Sequence, residues 1–323
     1  MKKSFKLLLA AAILVTEVFA VALPILTTSV KADGAIQAIT HAGFGGGTDV
    51  TTRMMLLRTR RYLKQDMQLV NKKGGGGAAS MDYMMTLPAD GQHTLTWTTG
   101  HAVSMALGKT KVKLSDMQPL ARGTDDPQLF VVNCKNDIKD AKKFISAQKS
   151  KSLKYGTTHV GGIDDVSAIA FTKKGNLTDP TIVAYKGVAP IKTNLIKGDI
   201  DVGVLNLGEA VTEIEDGTLC VAVVLASKRM EKLSNVPTAT ELGIPVVLST
   251  VRGFVTKKGV SADRAKTLED AMIKAMEHKY FQSFLTDIGL DATSVVGADE
   301  WGKQMEVMLA EMSSQLKALG YIK

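Results

Sequence analysis

The chain is poor in cysteine, in aromatic residues and in enzyme signatures. Only Cys134 and Cys220 occur in 323 residues, and 5% of the residues are aromatic. Neither cysteine sits at an export cleavage site, which argues against a lipid-anchored protein; one disulfide or two inert buried thiols fit the pair equally well. A Walker A loop is absent, because "GGGTD" lacks the lysine and hydroxyl residue that must close it. Read from Gly43, G-F-G-G-G-T fails the third glycine of a dinucleotide fingerprint. There is no G-x-S-x-G and no H-E-x-x-H. The five histidines, among them His41, His93, His101 and His159, lack metal-ligand spacing and are read as structural or surface residues. No cofactor and no metal are expected. No nucleophile–base pair stands out, which disfavours a secreted α/β enzyme on a small anion, one of two alternative readings; the other is a carboxylate or amine sensor not tied to transport.

What is present starts with an export signal. Lys2, Lys3 and Lys6 precede the apolar run "LLLAAAILV", and small-residue sites end at Ala20 and Ala32. This pattern predicts a signal peptide over residues 1–32, cleaved after Ala32, and a periplasmic product. Farther on there is no apolar run of about 18 residues, so the mature chain is expected to be soluble. Cleavage removes four lysines and Glu17, leaving 36 basic against 31 acidic residues, a net of +5. That surplus gives little support to nucleic-acid binding and suits a small anionic ligand.

The rest is 45% hydrophobic over the whole chain, enough for a core, and its length suggests two domains. Strand, glycine loop and helix alternate. "AIQAITHA", "MQLVNKK", "HTLTWTTG", "LFVVNC", "LKYG", "TIVAY", "IDVGVLN" and "LCVAVVL" read as strands, with helical patterns such as "DIKDAKKFISAQ" between them. Val50, Met54 and Leu57 mark one face of a helix after the first glycine run. The fold class is α/β with largely parallel sheets flanked by helices. Two closing helices, one carrying Leu268, Met272 and Met276, the other Trp301, Met305, Met308, Leu309 and Met312, have no strand after them and must pack on an earlier domain. The chain is therefore expected to cross twice, near "DDPQLFVVNC" and near "VRGFVTKKG". That gives domain 1 as 33–130 plus 253–323 and domain 2 as 131–252.

In such sheets ligands sit beyond the carboxyl ends of strands, where helices begin. A helix N-terminus offers unpaired N–H groups and a partial positive charge, and glycine lets a phosphate or carboxylate reach them. In "HAGFGGGTDV" Thr48 is read as a helix cap. Asp49 is read as a cap bonding first-turn N–H groups, or alternatively as a contact for a ligand hydroxyl or amine.

Five blocks, "GFGGGTD", "VNKKGGGGAASMDYMMTLPADG", "YGTTHVGGIDD", "YKGVAPIKTNLIKGDIDVGV" and "VPTATELGIP", together resemble the periplasmic receptors of tripartite tricarboxylate transporters, also called Bug receptors. The resemblance implies a two-domain, flytrap-like binding protein of the type II class, monomeric, without catalysis. It would deliver a small organic acid (a di- or tricarboxylate, an aromatic acid or an amino acid) to integral-membrane transporter subunits. It implies a carboxylate held by backbone N–H groups of two facing loops, Gly45, Gly46, Gly47, Thr48 and Asp49 on one side and Thr157, Thr158, Gly161, Gly162 and Asp164 on the other. Thr99, His101 and Asn206 complete the candidate set. So does Arg252, expected either to hold a second carboxylate or to form a salt bridge to Asp164 or Asp165. The chain departs from the family pattern at Phe44, where relatives carry proline, at Gly162–Asp165, where they are serine-rich, and in "STVRGF", where they often have tryptophan.

Overall fold

The computed structural model describes residues 34–158, 160–318 and 320–322. The signal-peptide reading of residues 1–32 and the reading of His159 lie outside them.

Two sheets carry the fold. The first has the order β11-β4-β10-β3-β1-β2 and the second β7-β6-β8-β5-β9. In the first, β1 (Ile36–Thr40), β2 (Met67–Asn71) and β3 (His93–Thr98) run parallel, as strands joined by crossover helices must. In the second, β6 (Lys154–Thr157) pairs in parallel with β7 (Thr181–Ala184) and β8 (Val202–Leu205). Each sheet is mixed rather than mostly parallel. The strands that carry the chain between sheets enter antiparallel: β4 (Met117–Pro127) and β10 (Ser249–Lys257) in the first, β5 (Leu129–Asn133) and β9 (Leu219–Val224) in the second. Thus β5 belongs wholly to the second sheet and β10 wholly to the first.

Helices α1 (Gly47–Leu63), α2 (Ala78–Met85), α3 (Thr99–Ala106), α8 (Ala262–Glu277), α9 (Lys279–Asp287) and α10 (Ala298–Ala318) pack with the first sheet. Helices α4 (Ala141–Ser150), α5 (Ile163–Lys174), α6 (Val188–Lys197) and α7 (Leu207–Glu215) pack with the second. The two stripes expected near the C-terminus are core: Leu268, Met272 and Met276 on α8 are buried, as are Trp301, Met305, Met308 and Met312 on α10. The sequence reading missed α9 and the two-residue β11 (Val296–Gly297) between them, which pairs with β4. Gly253 in β10 has no room for a side chain because the Trp301 ring lies on it. Cys134 and Cys220 form a disulfide that closes a separation of 86 residues at the ends of β5 and β9.

Candidate functional site

The first and second glycine loops that follow β1 and β6 are built alike. Gly45 and Gly161 both take the left-handed conformation, with φ of 74° and 70°. Each donates its N–H to an aspartate four residues on: Gly45 to Asp49 Oδ2 at 3.1 Å, Gly161 to Asp165 Oδ2 at 2.6 Å. The next residue in each, Gly46 or Gly162, is the extended N-cap of a helix, α1 or α5, and supplies no side-chain cap. "GGGTD" and "GGIDD" thus fold the chain into one shape twice. The left-handed glycine turns the chain, the aspartate pins that turn, and the cap residue is a bare glycine without a side chain. Among the described residues, the N–H groups of Gly47, Thr48 and Asp49 meet no acceptor. An uncapped helix start with no side chain over it is a ready anion site.

The geometry corrects several expectations. Thr48 does not cap; it lies inside the first turn of α1. Asp49 bonds Gly45 and also Arg53 Nε at 2.9 Å, rather than first-turn N–H groups. Burial works against its charge, but those hydrogen bonds outweigh it and hold Asp49 below the usual carboxylate range. Gly46 donates to Gly43 O at 3.2 Å, so the N–H groups of Gly45 and Gly46 are already used and an α1 contact starts at Gly47. On the second loop, the Thr158 N–H and hydroxyl both donate to Asp164 Oδ2, at 2.9 and 2.6 Å. Asp164 and Asp165 therefore turn toward their own loop. The Thr157 hydroxyl is buried with no hydrogen-bond partner among the described residues.

Arg252 sits where the crossing strands meet the first loop. Its guanidinium packs on Gly47, so close that a Cβ there would lie 2.5 Å from Nη2. Nη1 donates to Asp126 Oδ2 at 3.2 Å and to Thr124 Oγ1 at 3.4 Å. The salt bridge is with Asp126, not with Asp164 or Asp165. Thr99 and His101 are both held by internal hydrogen bonds. The Thr99 hydroxyl donates to Ser249 O and accepts from Val251 N–H, both at 2.9 Å, stitching α3 to β10. His101 is fully buried; Nδ1 accepts from Thr98 N–H at 3.0 Å and Nε2 lies 3.0 Å from Ser80 Oγ. Burial and the neighbouring His41 push its pKa well below the usual histidine value, so it is a neutral cap.

Asn206 ties the lobes at the crossing: Nδ2 donates to Asp126 O at 2.9 Å and Pro127 O at 3.0 Å. Beside it stands Glu209, which sequence reading missed. Its Oε2 accepts from Asn206 N–H at 3.0 Å, completing an N-x-x-E capping box that was legible in "NLGE". Burial, with Asp164 and Asp126 nearby, pushes Glu209 up to about 7 although Arg252 pulls the other way. Burial likewise pushes Asp126 up to about 6 against the pull of Arg252. A separate concavity of about 980 Å³ beside the crossing strands is lined by Lys228, Met230, Ser249, Leu290, Gln304 and Val307, among others; neither glycine loop lines it.

A family model described as the tripartite tricarboxylate transporter family receptor matches residues 51–319. The chain belongs to that family. This receptor is 26% identical over 218 residues to Protein BugT of Bordetella pertussis, a match spanning 65% of this chain and 66% of that protein. Its fold is that of a TctC solute binding protein from Polaromonas, with a TM-score of 0.75, 24% identity, and 88% and 98% of the two chains covered. The malate-bound MatC of Rhodopseudomonas palustris shares the fold at a TM-score of 0.76 and 22% identity, covering 87% of this chain and 98% of that one. Among the described residues no helix is long and apolar enough to cross a membrane.

Proposed function

We propose that this receptor captures a small organic carboxylate in a cleft between two lobes, one on each sheet, and hands it to the membrane subunits of a tripartite tricarboxylate-type transporter. The chain would cross between lobes at residues 127–129 and 248–249. The observation that carries the reading is the pair of matching glycine loops, each opening a helix with an uncapped first turn. An anion seated there accepts N–H groups that no described residue uses on α1, and it gains from the helix dipole. Each hydrogen bond to a charged group contributes about 1.5–3 kcal/mol net, and micromolar affinity needs roughly 8 kcal/mol. Four or five such bonds reach that without a buried arginine of their own. Bound malate and adipate in two structural relatives agree with this ligand class. The described residues of the two loops offer binding groups, and in this reading the ligand leaves unchanged and the chain works as a periplasmic monomer.

Calorimetric titration with a panel of mono-, di- and tricarboxylates tests the reading. At least one should bind with micromolar affinity and stay chemically intact. Failure of every carboxylate, or turnover of one, would overturn it.

A further inference from the structure

At the floor of the proposed cleft two acidic side chains, Asp126 and Glu209, stand close enough to repel each other. Asp126 is 3% exposed and gives only Oδ2 to Arg252; its other oxygen, Oδ1, is buried with no partner among the described residues. Glu209 approaches the same place from α7, half-buried, with Oε2 held by Asn206 N–H. Asn206 in turn holds the main chain of Asp126, so one residue fixes both carboxyl groups on the crossing. Arg252 supplies one positive charge to these two carboxylates, its Nε buried without an acceptor among the described residues, while Asp164 on α5 and Asp125 on β4, the latter paired with Arg122, add negative field. A buried carboxylate oxygen without a donor is costly unless something fills the role.

The structure assigns this place, given the carboxylate clamp proposed above, to a cationic amino group of the ligand: the preferred solute is an amino-carboxylate, gripped by its carboxylate at the α1 and α5 helix starts and by its ammonium at Asp126 and Glu209. A second ligand carboxylate there would face two like charges, while an ammonium supplies the missing donor and balances the floor. Specificity then comes as much from repelling the dicarboxylate as from attracting the amine. Both floor carboxyls hold protons more firmly than usual in the empty protein, so an arriving ammonium displaces protons and binding strengthens as pH rises through 6 to 7.

The test uses matched probes titrated calorimetrically against the mature receptor. 4-Aminobutyrate, pentanoate and glutarate differ only in an ammonium, methyl or carboxylate tail; 2-aminobutyrate and 2-methylbutyrate make the same comparison next to the carboxylate. In one series or the other the aminated probe should bind at least about tenfold more tightly than its partners, a ratio worth about 1.4 kcal/mol. Glu209→Gln keeps an acceptor for Asn206 N–H and should erase most of that ratio and reduce the rise in affinity between about pH 5.5 and 7.5, the share from Asp126 remaining. Equal affinity across both series, an unchanged ratio in a folded Glu209→Gln protein, or no binding of either aminated probe would overturn the inference. If the non-aminated carboxylates still bind, the carboxylate reading stands without it.

Discussion

Gly47→Ala should damage the receptor far more than the loss of one hydrogen atom suggests. Gly47 lies in the first turn of α1, so alanine suits its backbone. The obstacle is Arg252. A Cβ at Gly47 would sit 2.5 Å from Nη2 and 3.2 Å from Cζ, whereas ordinary contact begins near 3.4 Å. The guanidinium must retreat by roughly 0.9 Å, yet it is 3% exposed and paired with Asp126, itself 3% exposed. Breaking a buried pair costs about 3–5 kcal/mol. Alanine's smaller unfolded-state entropy returns about 0.4–1 kcal/mol. A net loss of about 2–4 kcal/mol in a chain of this size lowers Tm by roughly 3–7 °C. Two neighbours serve as controls. A Cβ at Gly46 meets nothing closer than Gly43 O at 3.4 Å, so Gly46→Ala should be nearly silent in Tm. Gly45 has open space but a φ of 74°, so Gly45→Ala should cost about 1–2 kcal/mol in strain. Scanning calorimetry of the three proteins checks the order, with Gly47 worst and Gly46 mildest. A Gly47→Ala protein as stable as wild type would refute the packing of Arg252 on the loop.

Three further outcomes are expected. Gly46→Val should fold with a Tm within a few degrees of wild type but lose carboxylate binding by at least about a hundredfold, because its branched side chain covers the open first turn; titration and a melting curve read both. Glu209 ionises near 4.5 ordinarily and near 7 here, so its stabilising contribution is present below pH 4.5 and lost as pH rises to 7. The neutral mimic Glu209→Gln should therefore match wild type in Tm near pH 4 and exceed it increasingly up to pH 8, and a constant difference would contradict the burial of that charge. Replacing Cys134 and Cys220 together by serine removes a cross-link over 86 residues and should cost about 2–4 kcal/mol in urea unfolding without touching ligand affinity.

Much of the fold could be read from residue pattern because glycines follow most of the strands and α8 and α10 carry apolar stripes; the face expected on α1 did not hold, since Leu57 is exposed and Thr51, Thr52, Met55 and Thr59 are the buried side. The eight strands quoted from the sequence all exist, and the Met-rich stripes of α8 and α10 are core. β4 was not legible: "MQPLARGTDDP" has proline, two aspartates and no clean alternation, and it is a strand because β10 runs beside it over its whole length. β11 is two residues long and owes its existence to the same edge. At the candidate site, the glycine runs located both loops, but their spare N–H groups could not be counted from sequence. That Asp49 and Asp165 reach back four residues depends on the left-handed turns at Gly45 and Gly161. The partner of Arg252 was misplaced because Asp126 neighbours it only across the β4–β10 pairing, and Glu209 comes near from α7 through folding alone.

The central claim is that a carboxylate sits at the glycine-capped starts of α1 and α5. Amide chemical shifts of the isotope-labelled receptor, recorded as a binding carboxylate is added, test it most directly. The N–H signals of Gly47, Thr48 and Ile163 should move downfield together and saturate with the calorimetric affinity. Shifts confined to the concavity around Lys228, Met230 and Gln304, with Gly47 and Ile163 unmoved, would contradict it.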